Sequence, residues 1–263
     1  MNNTTISAKT PKNVTAFFVL TFVLSLPIYI LAIFVPDMEA AAALLFVFAP
    51  IISALILTFR ENGSDGAKKL IKRAFDFKKI TRKIWYAPIL FIMPIVALAV
   101  MFILVFIGEA LPETIFPPSM APVLLLMFFI MALGEEVGWM GYAYDPMEER
   151  WNAFRASLIL GIIWFIWHTP FYLIVGGNPL IWAAGALVLM SGFRILLSWI
   201  YNNTGKSIFT AILFHAVYNL SQTVIPGYTS PLGPGIAAVL VIIIVVIITR
   251  VWDSQTLTQL RKN

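Results

Sequence analysis

Eight apolar stretches take up most of the chain: residues 14–35, 38–59, 84–108, 119–144, 156–175, 180–201, 206–224 and 232–251. Each is long enough to cross a ~30 Å hydrocarbon core as a helix. A segment inside lipid must satisfy its own backbone N–H and C=O groups, and for runs of this length a helix does so. The pattern predicts an all-α polytopic membrane protein, a bundle of about eight transmembrane helices. Composition agrees: 60% of residues are hydrophobic, only 12% are charged, and the mean hydropathy is +0.89. Those figures exclude a disordered, fibrous or nucleic-acid-coating protein and leave little room for a soluble domain. The expected partner is the lipid bilayer, with no nucleic acid. There is no cysteine, so disulfides, thiolate zinc sites, iron–sulfur clusters and a catalytic thiol are excluded.

The basic residues test the number of spans. With eight spans and a cytoplasmic N-terminus, Lys9, Lys12, Arg60, Lys68, Lys69, Lys72, Arg73, Lys78, Lys79, Arg82 and Lys83 fall on the inner side. So do Arg150, Arg155, Lys206, Arg250, Arg261 and Lys262. Of the 18 Lys and Arg, 17 lie on the inner side or at an inner helix end, Arg194 alone lies within a span, and the outer loops carry none. This is the positive-inside pattern, and a missed or extra helix would scramble it. It predicts a multi-pass protein of the cell membrane with both termini cytoplasmic. The first stretch exceeds a signal-peptide core and lacks a small-residue cleavage site, so it reads as a retained helix. Segments 67–83 and 145–155 read as short interfacial amphipathic helices. In the first of them Leu70, Ile71, Ala74, Phe75 and Phe77 are expected to face acyl chains while the lysines face headgroups. Residues 1–263 read as a single integral membrane domain.

Ionisable groups inside spans are expensive and mark function by default. Here they are Glu135, Glu136, His168, Arg194 and His215, which include both histidines of the chain. Counting ~1.5 Å per residue from the inner helix ends places them at similar depths, on four different helices. Asn219 lies one turn after His215 on the same face, and Trp164 one turn before His168. Glu135 and Glu136 point about 100° apart, so one can face a cavity while the other braces a neighbouring helix. Arg194 is the expected counter-ion of one of them. Trp164 is expected to pack beneath His168.

These residue types suit amide hydrolysis. A carboxylate and an imidazole hold and deprotonate a water, and a second imidazole with a carboxamide donates to the developing oxyanion. A serine mechanism lacks its Gly-x-Ser-x-Gly context. Zinc is the alternative, with Glu135, His168 and His215 as ligands and a fourth position for water, although His-Glu-x-x-His is absent. The metal-free arrangement is slightly favoured, because Asn219 on the His215 face suits a pair of hydrogen-bond donors better than a metal ligand.

Three segments resemble known motifs. They are Gly134-Glu135-Glu136-Val137-Gly138-Trp139-Met140, Trp164-Phe165-Ile166-Trp167-His168-Thr169-Pro170, and Tyr201-Asn202-Asn203-Thr204-Gly205-Lys206-Ser207 followed by His215-Ala216-Val217-Tyr218-Asn219. In order and on successive helices they resemble the CPBP family, the CAAX-processing and bacteriocin-processing intramembrane proteases related to the type II CAAX prenyl endopeptidase. The likeness covers a core of about residues 119–225. It implies an intramembrane endopeptidase acting on a membrane-associated peptide or protein, either a prenylated CAAX-type or a bacteriocin-related substrate. Glu135 is implied as the water-activating base assisted by His168, His215 and Asn219 as the oxyanion site, and Glu136 as support. One position departs: Met140 stands where the family commonly has Arg, and Arg194 is a candidate replacement. Two other classes remain open, a non-catalytic immunity or scaffold protein of the same fold and a small proton-coupled transporter.

Overall fold

The computed structural model describes residues 13–111 and 116–258. Lys9, Lys12, Arg261, Lys262 and part of the expected outer loop at 109–118 lie outside the described residues. Ten α-helices carry the described fold: α1 Val14–Phe34, α2 Glu39–Phe46, α3 Ala49–Lys72, α4 Tyr86–Phe106, α5 Ala121–Gly138, α6 Asp145–Trp151, α7 Ala153–Thr169, α8 Leu180–Asn203, α9 Ile208–Val224 and α10 Gly233–Val251. Two π-helical stretches, Trp139–Tyr144 and Pro170–Val175, continue α5 and α7.

Seven helical segments among the described residues are long and apolar enough to cross a membrane. The remaining expected span, 206–224, is α9. At 17 residues, or ~25 Å, it is shorter than the others. The expected span 38–59 is two helices, not one. Pro50 has no N–H to give to the carbonyl one turn back, so the chain breaks between α2 and α3. α3 then runs well past residue 59, kinked at Gly63, whose φ of 65° and ψ of −168° a side chain would strain. This changes the expected interfacial helix at 67–83. Its first part is the end of α3, and single 3₁₀ turns follow at Arg73–Phe75, Phe77–Lys79 and Lys83–Trp85. Ile71, Phe75 and Phe77 are exposed as expected, but Leu70 and Ala74 turn inward and are buried. The expected segment 145–155 is α6 and the start of α7.

The helix ends gather on two sides. On one, Ala153 N–H donates to the Gln255 carbonyl at 2.8 Å, Asn202 to the Thr256 carbonyl at 2.8 Å, and Arg73 to the Tyr201 hydroxyl at 2.7 Å. On the other, the Trp182 indole donates to the Tyr228 carbonyl at 3.0 Å. The described basic residues other than Arg194 belong to segments on the first side or leading into it. α8 is the most enclosed of the long helices and packs against α7, α9 and α10, while α5 packs against α3 and α9.

The packing of α5 on α3 sets the facing of the two glutamates. Gly134 and Gly138 share one face of α5. A Cβ on Gly134 would stand 2.7 Å from the Val47 carbonyl oxygen, and one on Gly138 would stand 2.6 Å from the Pro50 carbonyl. Such small-residue pairs let helix backbones touch in a membrane. Glu135 and Glu136 are then rotated away from α3. Gly138→Val should force α5 off α3, with a loss of about 1–3 kcal/mol from overpacking. A fall in thermal unfolding temperature and in activity checks it, and an unchanged melt would refute the close-packing argument.

Candidate active site

Four of the expected groups form one buried cluster. Arg194 on α8 donates from Nη1 to Glu136 Oε2 at 2.7 Å, and both side chains are fully buried. His215 on α9 stands with Nδ1 2.8 Å from Glu136 Oε1. Both oxygens of Glu136 are thus engaged, which makes it the bracing carboxylate of the pair and Arg194 its counter-ion. Glu135, 3% exposed, has a different partner: the Trp164 indole N–H donates to its Oε2 at 2.6 Å.

Trp164 is the hub. Its ring stands edge-on to His168 with centroids 5.0 Å apart and edge-on to His215 at 5.2 Å. The Arg194 guanidinium lies 4.1 Å from the ring centroid, within cation–π range. At 2% exposure Trp164 does not face lipid, so the expected contact with His168 is present. The hydrogen bond to Glu135 is the part that sequence reasoning missed. Trp164→Phe keeps an aromatic ring and removes the N–H. It should cut kcat about 10- to 150-fold, in line with one lost hydrogen bond to a charged group at about 1.5–3 kcal/mol, while the protein stays folded. Equal kcat in the variant would show that the N–H does not orient Glu135.

His168 Nδ1 stands 2.9 Å from the Trp164 carbonyl oxygen. A carbonyl only accepts, so Nδ1 carries the proton and a neutral ring keeps its lone pair on Nε2. Tyr172 stacks on the same imidazole, with centroids 5.2 Å apart and planes 16° from parallel. His168 and Asn219 are half-buried, in contrast to the four enclosed groups. Asn219 lies one turn beyond His215 on α9, and among the described residues no hydrogen bond joins its side chain to the cluster.

The two π-helical stretches begin just after these residues. Trp139–Tyr144 follows the glutamates, and Pro170–Val175 follows His168. Wide turns of this kind recur at functional sites. Pro170, which cannot donate an amide hydrogen bond, is the one local sequence sign of the second.

The donor set suits a metal poorly. Glu135, Glu136 and His215 offer ligand atoms within 4.8 Å of one another, and His168 is not in that group. Glu136 already gives both oxygens to Arg194 and His215, and the adjacent guanidinium would repel a divalent cation. Of the expected zinc set of Glu135, His168 and His215, that group holds Glu135 and His215.

Polar groups on the basic side tie the helix ends below the cluster. Lys206 reaches Glu148 at 2.6 Å and Asp145 at 3.0 Å. Its partial burial works against the charge, but these two carboxylates outweigh it and hold its pKa above the ordinary lysine value. Met140 is fully buried. The guanidinium that reaches this turn is that of Arg73, 3.3 Å from the Gly141 carbonyl and 3.8 Å from Asp145. Arg194, the candidate replacement, is bound to Glu136 instead.

Residues 117–221 match the family described as type II CAAX prenyl endopeptidase Rce1-like. Over 188 residues the chain is 31% identical to CAAX prenyl protease 2 of Methanococcus maripaludis, covering 66% of this chain and 68% of that protein. The chain belongs to the CPBP family of intramembrane proteases. A shorter likeness within this CPBP chain, 27% identity over 104 residues, is to lysostaphin resistance protein A of Staphylococcus haemolyticus, covering 38% of this chain and 27% of that protein.

Proposed function

We propose that this protease cleaves a peptide bond in a prenylated CAAX-type membrane-associated protein, using water activated by Glu135 and His168. The observation that carries the reading is the division of labour between the two glutamates. Glu136 is held on both oxygens, while Glu135 is held on one by Trp164 and keeps the other for a proton. In this scheme Glu135 takes a proton from water as the water oxygen attacks the scissile carbonyl carbon, with His168 Nε2 holding the water. His215 and Asn219 donate to the resulting oxyanion. As the tetrahedral species collapses, the C–N bond breaks and Glu135 returns its proton to the departing amine. The substrate class is supported by the name of the archaeal relative.

The basic side is the cytoplasmic side in this reading, by the positive-inside rule, and the protein resides in the cell membrane. Comparing membrane-protein termini in cells carrying the parent or Glu135→Gln tests the function. Termini shortened only with the parent are expected. Identical termini would refute proteolysis and favour the second reading, an immunity role without cleavage, which the resistance-protein likeness and Met140 motivate.

A further inference from the structure

A second site lies on the basic side, away from the glutamates. Arg82, Ile84, Trp85, Pro88, Trp199 and Trp252 line a groove with an empty volume of about 570 Å³, its mouth included. The space open to a ligand is about 250 Å³, just below the ~300–1,000 Å³ of small-molecule sites. Trp199 stands edge-on between Trp85 at 4.9 Å and Trp252 at 5.2 Å. The groove is built from the start of α4, the end of α8 and the end of α10, and Glu135, His168 and His215 lie on other helices.

Two observations say what fits there. The indole N–H groups of Trp199 and Trp252 are buried with no hydrogen-bond partner, and Trp199 as a whole is only 7% exposed. With both N–H groups enclosed by protein, the tryptophans turn apolar surface to the groove, a wall suited to an acyl chain. The rim is also cationic. Arg82 and Lys83 are both exposed, and residues 77–90 contain no acid. Asp253, next to Trp252, is turned to the following loop, where it accepts from the Gln255 N–H at 2.9 Å.

We propose that this groove binds one anionic phospholipid, its phosphate against Arg82 and Lys83 and one acyl chain along the tryptophans. Tryptophan at the membrane interface and basic residues facing anionic headgroups are the recognition chemistry of such a lipid. The proposal rests on the membrane fold and is independent of the proteolytic mechanism.

Delipidated protein in detergent, titrated with phosphatidylglycerol or phosphatidylcholine of matched chains and examined by native mass spectrometry, tests it. One phosphatidylglycerol per chain is expected, bound about tenfold more tightly than phosphatidylcholine. Arg82→Gln with Lys83→Gln should abolish that preference. Trp252→Ala, which removes part of the apolar wall, should weaken binding of both lipids. Excess inorganic phosphate should not displace the bound lipid. Equal binding of the two lipids by the parent, an unchanged preference in the double variant, parent-level binding by Trp252→Ala, or displacement by phosphate alone would each overturn the proposal.

Discussion

Glu135→Gln is expected to lower kcat for a prenylated CAAX-type peptide by about 10²–10⁴-fold, the range for loss of a general base, and to leave the fold intact. The amide is nearly the same size and its carbonyl oxygen still accepts from the Trp164 indole. It takes no charge into a site that is 3% exposed. What it lacks is a basic oxygen. The effect should therefore lie in kcat, with KM little changed and an unaltered thermal melt. Parent-level cleavage by the purified variant would remove Glu135 from the mechanism.

Arg194→Met should be the most destabilising single substitution in the cluster. Glu136 and Arg194 are both fully buried, and removing one partner of such a pair costs about 3–5 kcal/mol because the other charge stays in place unpaired. Adding Glu136→Gln should restore most of that loss, since the amide oxygen can still accept from His215 Nδ1 without carrying charge. Unfolding measured for the parent, both single variants and the double variant gives the coupling between the two sites. Additive losses would show that the pair is not coupled.

The apolar runs made the long helices legible, because a membrane span is a statement about length and hydropathy. The break before Pro50 and the inward turn of Leu70 were less so. The first follows from Pro50 itself, which the length and hydropathy of the run mask; the second depends on where the end of α3 meets the turn after α5, with Leu70 against Gly141. Within the site, spacing along one helix anticipated that Trp164 would touch His168. It also anticipated that one glutamate would brace a neighbour and that Arg194 would pair with one of them. Pairings between helices were not set by spacing, which is why the Trp164–Glu135 and His215–Glu136 hydrogen bonds went unread. The π-helical stretches were hidden for a related reason: an extra residue in a turn leaves the hydropathy of the run unchanged.

The two wide turns also decide where the chain can lose a residue. A deletion in a straight helix such as α8 rotates everything downstream by about 100°, which would break its contacts at one end or the other. A deletion within Trp139–Tyr144 or Pro170–Val175 instead lets a turn that already holds one residue too many relax to ordinary α-helix, with both flanks close to where they were. Single-codon losses should then be tolerated by the fold at the two seams beside the glutamates and His168, and not in α8.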